Sequence, residues 1–242
     1  MSLSISSKDR LIFALDVSDR EEAEKYVRLL GDTVGCFKIG LELFIKEGPD
    51  ILKIVKENSS ASIFLDLKLH DIPVTVSSAL QSAVAHGVQF ITVHGSDGES
   101  ILRTAHEVKG SGLEVLAVTV LTSISESDLL RLGYKESFSL NQLVLDRADL
   151  AEKSGCAGVV CSGEEVTIIK DKCGADFKVV VPGIRPLWGE VKGDDQSRIV
   201  TPKDAISNGA DLIVVGRPIR DAKDPAVAAG KIVDEIESAL AG

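Results

Sequence analysis

One spacing recurs three times along this chain of 242 residues. Ala83-x-x-x-Gly87 precedes Phe90-Ile91-Thr92-Val93, Ala151-x-x-x-Gly155 precedes Val159-Val160-Cys161, and Ala205-x-x-x-Gly209 precedes Leu212-Ile213-Val214-Val215. Each reads as a helix end, a C-terminal glycine and a buried strand. Five further runs of strand length, rich in β-branched or apolar residues, are Leu11 to Leu15, Cys36 to Ile39, Ile63 to Leu67, Val115 to Val120 and Lys178 to Val181, which brings the count to eight. Helical patterns fall between them at roughly 19–30, 49–58, 75–86, 98–109, 140–154, 163–172, 202–208 and 225–240. Ser18/Glu21, Ser96/Glu99 and Ser162/Glu165 stand at capping-box spacing before three of them.

Strands alternating with helices imply a parallel sheet. Eight units in 242 residues fit an α/β fold of the closed (β/α)8 or TIM-barrel type, whose usual size is about 250 residues, better than a doubly wound sheet. No linker or shift in composition divides the chain, so residues 1–242 are expected to form one domain, with 1–8 as a flexible N-terminal segment. Composition narrows the function. Hydrophobic residues make up 44% of the chain, enough for a sizeable core, and 27 Lys plus Arg against 37 Asp plus Glu leave a net charge of −10. That balance argues against nucleic acid as a partner. No apolar run reaches the ~18 residues of a membrane span, and the opening MSLSISSKDR lacks a signal-peptide core; a cytoplasmic protein is expected. Cys36, Cys156, Cys161 and Cys173 lack metal-site spacing and read as free thiols, and His70, His86, His94 and His106 form no HExxH-like pair. No metal site is expected.

In a barrel of this kind, chemistry belongs at the C-terminal ends of the strands. There the sequence places Asp16, Lys38, Asp66, Lys68, Thr122, Gly216 and Arg217. The densest stretch is Phe64-Leu-Asp66-Leu-Lys68-Leu-His70-Asp71-Ile72-Pro73-Val-Thr75. Period-2 alternation puts Phe64, Asp66 and Lys68 on one face and Leu65 and Leu67 on the other. Taken alone, the charges fit a buried ion pair with Thr75 as a helix N-cap. Asp16 and Lys38 on neighbouring strands make a cluster of four or five charges instead, able to hold the Lys68 ammonium as a proton donor. His70 reads as a structural hydrogen-bonding group, and Cys161 as an inert thiol near the mouth.

Asp-x-Lys-x-His-Asp-Ile-Pro-x-Thr resembles the signature of the orotidine 5′-monophosphate decarboxylase family, in its bacterial form. The resemblance runs through Leu-Asp16-Val, Phe-Lys38-Ile-Gly, Leu-Thr122-Ser, Pro182-Gly183-Ile-Arg185-Pro, Gln196 and Val-Gly216-Arg217-Pro. It implies a cofactor-free conversion of orotidine 5′-monophosphate to uridine 5′-monophosphate and carbon dioxide. It further implies that Lys68 protonates C6 of the pyrimidine, that Asp66 lies beside the substrate carboxylate, and that Asp71 completes the array from the partner subunit of a homodimer. Ile72 and Thr75 would reach the same neighbouring site. Asp16 and Lys38 would bind ribose hydroxyls, with Lys38 also bonded to Asp66, and Thr122 would meet the pyrimidine edge.

Strand 8 followed by Gly216-Arg217-Pro218 fits the phosphate site that barrels often build after strands 7 and 8, with Arg217 and Arg185 adding charge-assisted bonds to a dianion and Pro182 beside them among the substrate-binding residues. Residues 182–200 lack periodicity and are expected to form a loop over the phosphate, with Gln196 gripping substrate. Trp188 fits either an apolar anchor or surface packing. Two other readings share parts of this pattern. A magnesium-dependent sugar-phosphate decarboxylase or aldolase shares the Asp-x-Lys-x-x-Asp core but places an acidic metal ligand where this chain has Lys38. A non-catalytic phosphosugar-binding barrel would keep Gly216 and Arg217 yet need no inward Lys68 between aspartates.

Overall fold

The computed structural model describes residues 5–135, 137–189 and 198–241. Eight parallel strands, β1 (Leu11–Ala14), β2 (Cys36–Gly40), β3 (Ser62–Leu69), β4 (Phe90–His94), β5 (Glu114–Val118), β6 (Gly158–Val160), β7 (Lys178–Val181) and β8 (Leu212–Val215), close into a barrel in sequence order. Closure is seen at Ile12, which is in register with Cys36 of β2 on one side and Val214 of β8 on the other. The α/β barrel expected from the sequence is therefore the fold.

Alternation along the strands sorts the core into two layers. Ile12, Ala14, Cys36, Phe64, Leu116, Val180, Leu212 and Val214 fill the barrel interior. The opposite faces, including Leu11, Phe13, Ile39, Leu65, Val115 and Ile213, pack under the helices. Parallel strands covered on both sides explain why β1 and β8 read as unbroken apolar runs.

Helices α1 (Arg20–Leu30), α2 (Leu41–Glu47), α3 (Asp50–Asn58), α4 (Pro73–Ala85), α5 (Glu99–Leu102), α6 (Glu126–Arg131), α7 (Leu140–Lys153), α8 (Val166–Cys173), α9 (Pro202–Ser207), α10 (Arg217–Arg220) and α11 (Pro225–Ala241) surround the barrel. Short 3-10 turns occupy Lys8–Arg10 and Arg103–Val108. Helices α2, α6 and α10 sit inside strand-to-helix connections, where the sequence reading has loops. The expected helix at 98–109 is α only as far as Leu102 and then tightens into the 3-10 turn.

The expected caps need correction. Asp19, not Ser18, caps α1, because its extended backbone aims Oδ1 at the Glu22 N–H (3.0 Å). Ser96 is drawn to His94, with Oγ 2.6 Å from Nδ1, and Gly98 opens α5 without a side-chain cap. At Ser162/Glu165 only the reverse half forms, the Glu165 carboxylate accepting the Ser162 N–H (2.7 Å). Thr75 does not cap α4: Pro73 takes the first helical position after Ile72, and Thr75 lies inside the first turn. A capping box that sequence reading passed over joins Ser125 and Asp128.

Residues 1–4 of the expected N-terminal segment lie outside the described residues, and Lys8–Arg10 already form the 3-10 turn. Among the described residues no helix is long and apolar enough to cross a membrane. All four cysteines are buried and unpaired. Burial pushes the Cys156 thiol up to about 12 and raises Cys161 as well, which leaves Cys161 unreactive although it borders the mouth.

Candidate active site

A cavity of about 540 Å³ opens at the C-terminal ends of the strands. Its floor is the top of the interior layer, Ala14, Phe64, Val160 and Val214, and its walls carry the charges. Asp16, Lys38, Asp66, Lys68, Thr122, Pro182, Arg185, Gly216 and Arg217 all line it. Asp71, Ile72 and Thr75 do not; they stand exposed on the connection from β3 into α4. Gln196 and the rest of 190–197 lie outside the described residues.

The charged side chains form a chain of contacts. Lys38 Nζ donates to Asp16 Oδ1 (3.0 Å) and lies 3.7 Å from Asp66 Oδ2. Lys68 Nζ donates to Asp66 Oδ1 (2.9 Å), so Asp66 sits between two ammonium groups. Gly40 leaves room for this: a Cβ there would come within 3.3 Å of both Asp16 Oδ1 and Lys38 Nζ. Burial by itself raises the Asp66 carboxyl, and the Lys38 and Lys68 charges overcome it, holding Asp66 below the usual carboxylate range. Its contribution to stability is accordingly present above the ordinary carboxylate pKa and lost as pH falls through the lowered value.

Local backbone geometry places Lys68. Between β3 and β4 the register runs from Leu65 opposite Ile91 to Leu69 opposite Val93, so β3 carries two extra residues across this interval. Lys68 has φ +50°, the one non-glycine residue in the left-handed region among the described residues. The Lys68 N–H, displaced from the regular ladder, is taken up by Thr92 Oγ1 (2.8 Å), and Thr92 donates its own hydroxyl proton to Asp66 Oδ1 (2.9 Å). Strain of this kind persists only where surrounding contacts hold it, and it is common at functional sites.

Thr92 is a site residue that sequence reading missed, although inward alternation with Phe90 and His94 was a usable signal. Replacing Thr92 with Val is expected to strand both the Lys68 N–H and an Asp66 lone pair, lowering stability by about 1–3 kcal/mol. Chemical denaturation measures this, and an unchanged midpoint would show that Thr92 does not support the strained turn. Arg220 was also missed: it lines the cavity and donates to the Asp16 carbonyl (2.8 Å), one turn beyond Arg217.

Around the array, His70 pairs through Nδ1 with the buried Asp97 carboxylate, the structural hydrogen bond expected of it. Trp188 packs on the surface: Nε1 donates to Glu235 (2.7 Å) and the ring lies under Lys231 of α11.

Packed interior, charged mouth and strained lysine together define an α/β-barrel of enzyme layout, with its polar groups gathered on the face where such barrels hold small-molecule substrates. The sequence profile of the orotidine 5′-phosphate decarboxylase / HUMPS family matches residues 9–232. An orotidine 5′-phosphate decarboxylase from Desulfosudis oleivorans is 49% identical over 98% of this chain and 96% of its own. The crystal structure of orotidine 5′-phosphate decarboxylase from Lactobacillus acidophilus superposes with a TM-score of 0.81 at 37% identity, covering 93% of this chain and 98% of that one. The corresponding structure from Pyrococcus horikoshii gives 0.75 at 29% identity, covering 94% and 99%. The chain belongs to the orotidine 5′-phosphate decarboxylase / HUMPS family.

Proposed function

We propose that this chain is a carboxy-lyase of pyrimidine biosynthesis that converts orotidine 5′-monophosphate to uridine 5′-monophosphate and carbon dioxide without a cofactor. The observation that carries the reading is the Lys38–Asp66–Lys68 contact chain at the cavity wall. When the C6–carboxylate bond breaks, carbon dioxide departs and the electron pair stays on C6, in the ring plane and orthogonal to the π system. Delocalisation therefore offers no help. A positioned ammonium stabilises the developing carbanion electrostatically and then donates its proton to C6, and solvent reprotonates the lysine. Lys68 is that group. Asp66, kept ionised beside it, anchors the ammonium through Oδ1 and meets the substrate carboxylate in the ground state, a repulsion relieved as carbon dioxide leaves.

Asp16 and Lys38 bind the ribose hydroxyls and Thr122 the pyrimidine edge. Arg185 and Arg217, with Pro182 and Gly216 allowing close approach, hold the phosphate. Gln196, outside the described residues, is the further group expected to grip substrate. The neighbouring site receives Asp71, Ile72 and Thr75 across a homodimer interface; exposed Ile72 and Val74 supply apolar surface there. A cytoplasmic setting suits this reaction. The magnesium-dependent alternative is disfavoured by Lys38, whose ammonium already lies 3.0 Å from Asp16 and 3.7 Å from Asp66, the carboxylates a cation would need.

The assay is loss of pyrimidine absorbance when EDTA-treated protein meets orotidine 5′-monophosphate. Failure of folded, metal-free protein to turn over would refute the reading. Arg217→Ala is expected to raise KM about 10²-fold, as removal of charge-assisted bonds to a dianion implies; a KM within about twofold of wild type would remove Arg217 from the phosphate site.

A further inference from the structure

A second buried ion pair stands at the mouth, away from the reacting groups. The side chains of Glu165 and Arg198 are only 1% and 12% exposed. Arg198 Nη1 bonds Glu165 Oε1, Arg198 Nη2 donates to the Leu121 carbonyl (3.3 Å), and Glu165 Oε2 accepts the Ser162 N–H (2.7 Å). Arg198 lies on the returning leg of the connection after β7, Leu121 on the connection after β5, and Ser162 and Glu165 on the one after β6. Two residues further on, Val200 bridges to Ile184 on the outgoing leg and accepts the Arg185 N–H (2.9 Å). Val200 also rests on Gly163, where a Cβ would come within 2.4 Å of its Cγ1, so a side chain at 163 would push it away.

Residues 184 and 200 of one connection are thus joined, and that junction is fastened to the neighbouring connection after β6 and, past it, to the one after β5. Leu121, Thr122 and Ser123 after β5 and Gly183 and Arg185 after β7 all line the cavity. Stability alone does not account for such a pair. Burial pushes the Glu165 carboxyl up against the pull of Arg198 and the Ser162 N–H, and ion pairs taken out of water often return no more than apolar packing would.

We infer that Glu165 and Arg198 are positioning residues for the substrate cavity, setting the Leu121–Ser123 rim and the Gly183–Arg185 rim at a fixed separation without touching substrate. The inference rests on the proposed reading in that the second rim takes the substrate phosphate. Their effect therefore falls on substrate capture and leaves the Lys68 chemistry in place.

The test compares Arg198→Ala, Arg198→Lys, Glu165→Gln and the double variant Glu165→Gln/Arg198→Ala. KM and kcat for orotidine 5′-monophosphate are measured together with amide hydrogen exchange at 121–123 and 183–185. Arg198→Ala and Glu165→Gln should each raise KM about tenfold or more, the scale of loss when a binding group is misplaced, with kcat within about threefold. Exchange should accelerate at both rims. The double variant should be no worse than the poorer single, as for two groups acting as a unit. Arg198→Lys should rescue in part, since an ammonium cannot hold Glu165 and the Leu121 carbonyl in one planar fork. Unchanged KM and rim exchange with only a lower unfolding midpoint would overturn the inference, and so would additive effects. Inactivity of the wild-type protein would refute the proposed reaction instead, and the exchange data would still decide the positioning role.

Discussion

Lys68→Ala is expected to lower kcat/KM by at least ~10⁴-fold while leaving the barrel folded, because one substitution removes both the proton donor and the charge that faces the developing carbanion. The backbone gives no compensating relief, since alanine at φ +50° is as strained as lysine. Asp66 would retain Lys38 at 3.7 Å as a partner, so the carboxylate is not left without a counter-charge. The thermal midpoint should accordingly move little compared with the rate. Lys68→Arg should not restore activity, because a guanidinium is too weak an acid to give up its proton to carbon at neutral pH. Absorbance assays across a wide range of enzyme concentration measure both variants. Residual activity of Lys68→Ala within about tenfold of wild type would show that another group delivers the proton.

Mixing two inactive proteins should regain activity. Asp71 lies outside the cavity of its own chain, exposed, with Oδ1 accepting the N–H of the adjacent Ile72 (2.6 Å). If Asp71 completes the array of a partner subunit, Lys68→Ala and Asp71→Ala carry complementary defects. Random exchange of an equal mixture gives half mixed dimers, each with one site that has both residues intact, so about a quarter of wild-type activity should return. Light scattering reports the dimer, and a mass-tagged protomer proves exchange. Mixed dimers without activity would place the action of Asp71 within its own chain or remove it from the reaction.

Much of the barrel was legible because its signals are local. Helix end, glycine and apolar run recur with the same spacing, and β8 spans the four residues, Leu212 to Val215, that the sequence marks. The inward face of β3 was legible for the same reason: Phe64 joins the interior layer while Leu65 and Leu67 pack outward. What escaped depends on contacts distant in the chain. Nothing in Asp66-Leu-Lys68 announces a left-handed lysine, since the displaced N–H is received by Thr92, on the next strand. Ser162 and Glu165 look like a helix cap, and one half of that cap forms. The other Glu165 oxygen belongs to Arg198, 33 positions away, which no local pattern reports. The cap at Ser18 gave way to Asp19, which starts the helix one residue later by accepting the Glu22 N–H, and the Ser96 hydroxyl turned to His94 instead.

The chain's net charge of −10 describes its exterior and conceals the sign of its site. Among the described residues that line the cavity, Lys38, Lys68, Arg185, Arg217 and Arg220 stand with the carboxylates of Asp16 and Asp66, more cations than anions in an acidic protein. A substrate carrying a phosphate and a carboxylate is thus attracted by the mouth against the field of the whole molecule.

In the proposed reaction the Lys68 ammonium, unaided by metal, replaces carbon dioxide on C6 with a proton that exchanges with solvent. Proton NMR of EDTA-treated protein turning over orotidine 5′-monophosphate in D2O tests it most directly. The expected product is uridine 5′-monophosphate carrying deuterium at C6, with the H6 resonance absent and H5 reduced to a singlet. Unconverted substrate, or conversion that appears only when a divalent metal is restored, would contradict it.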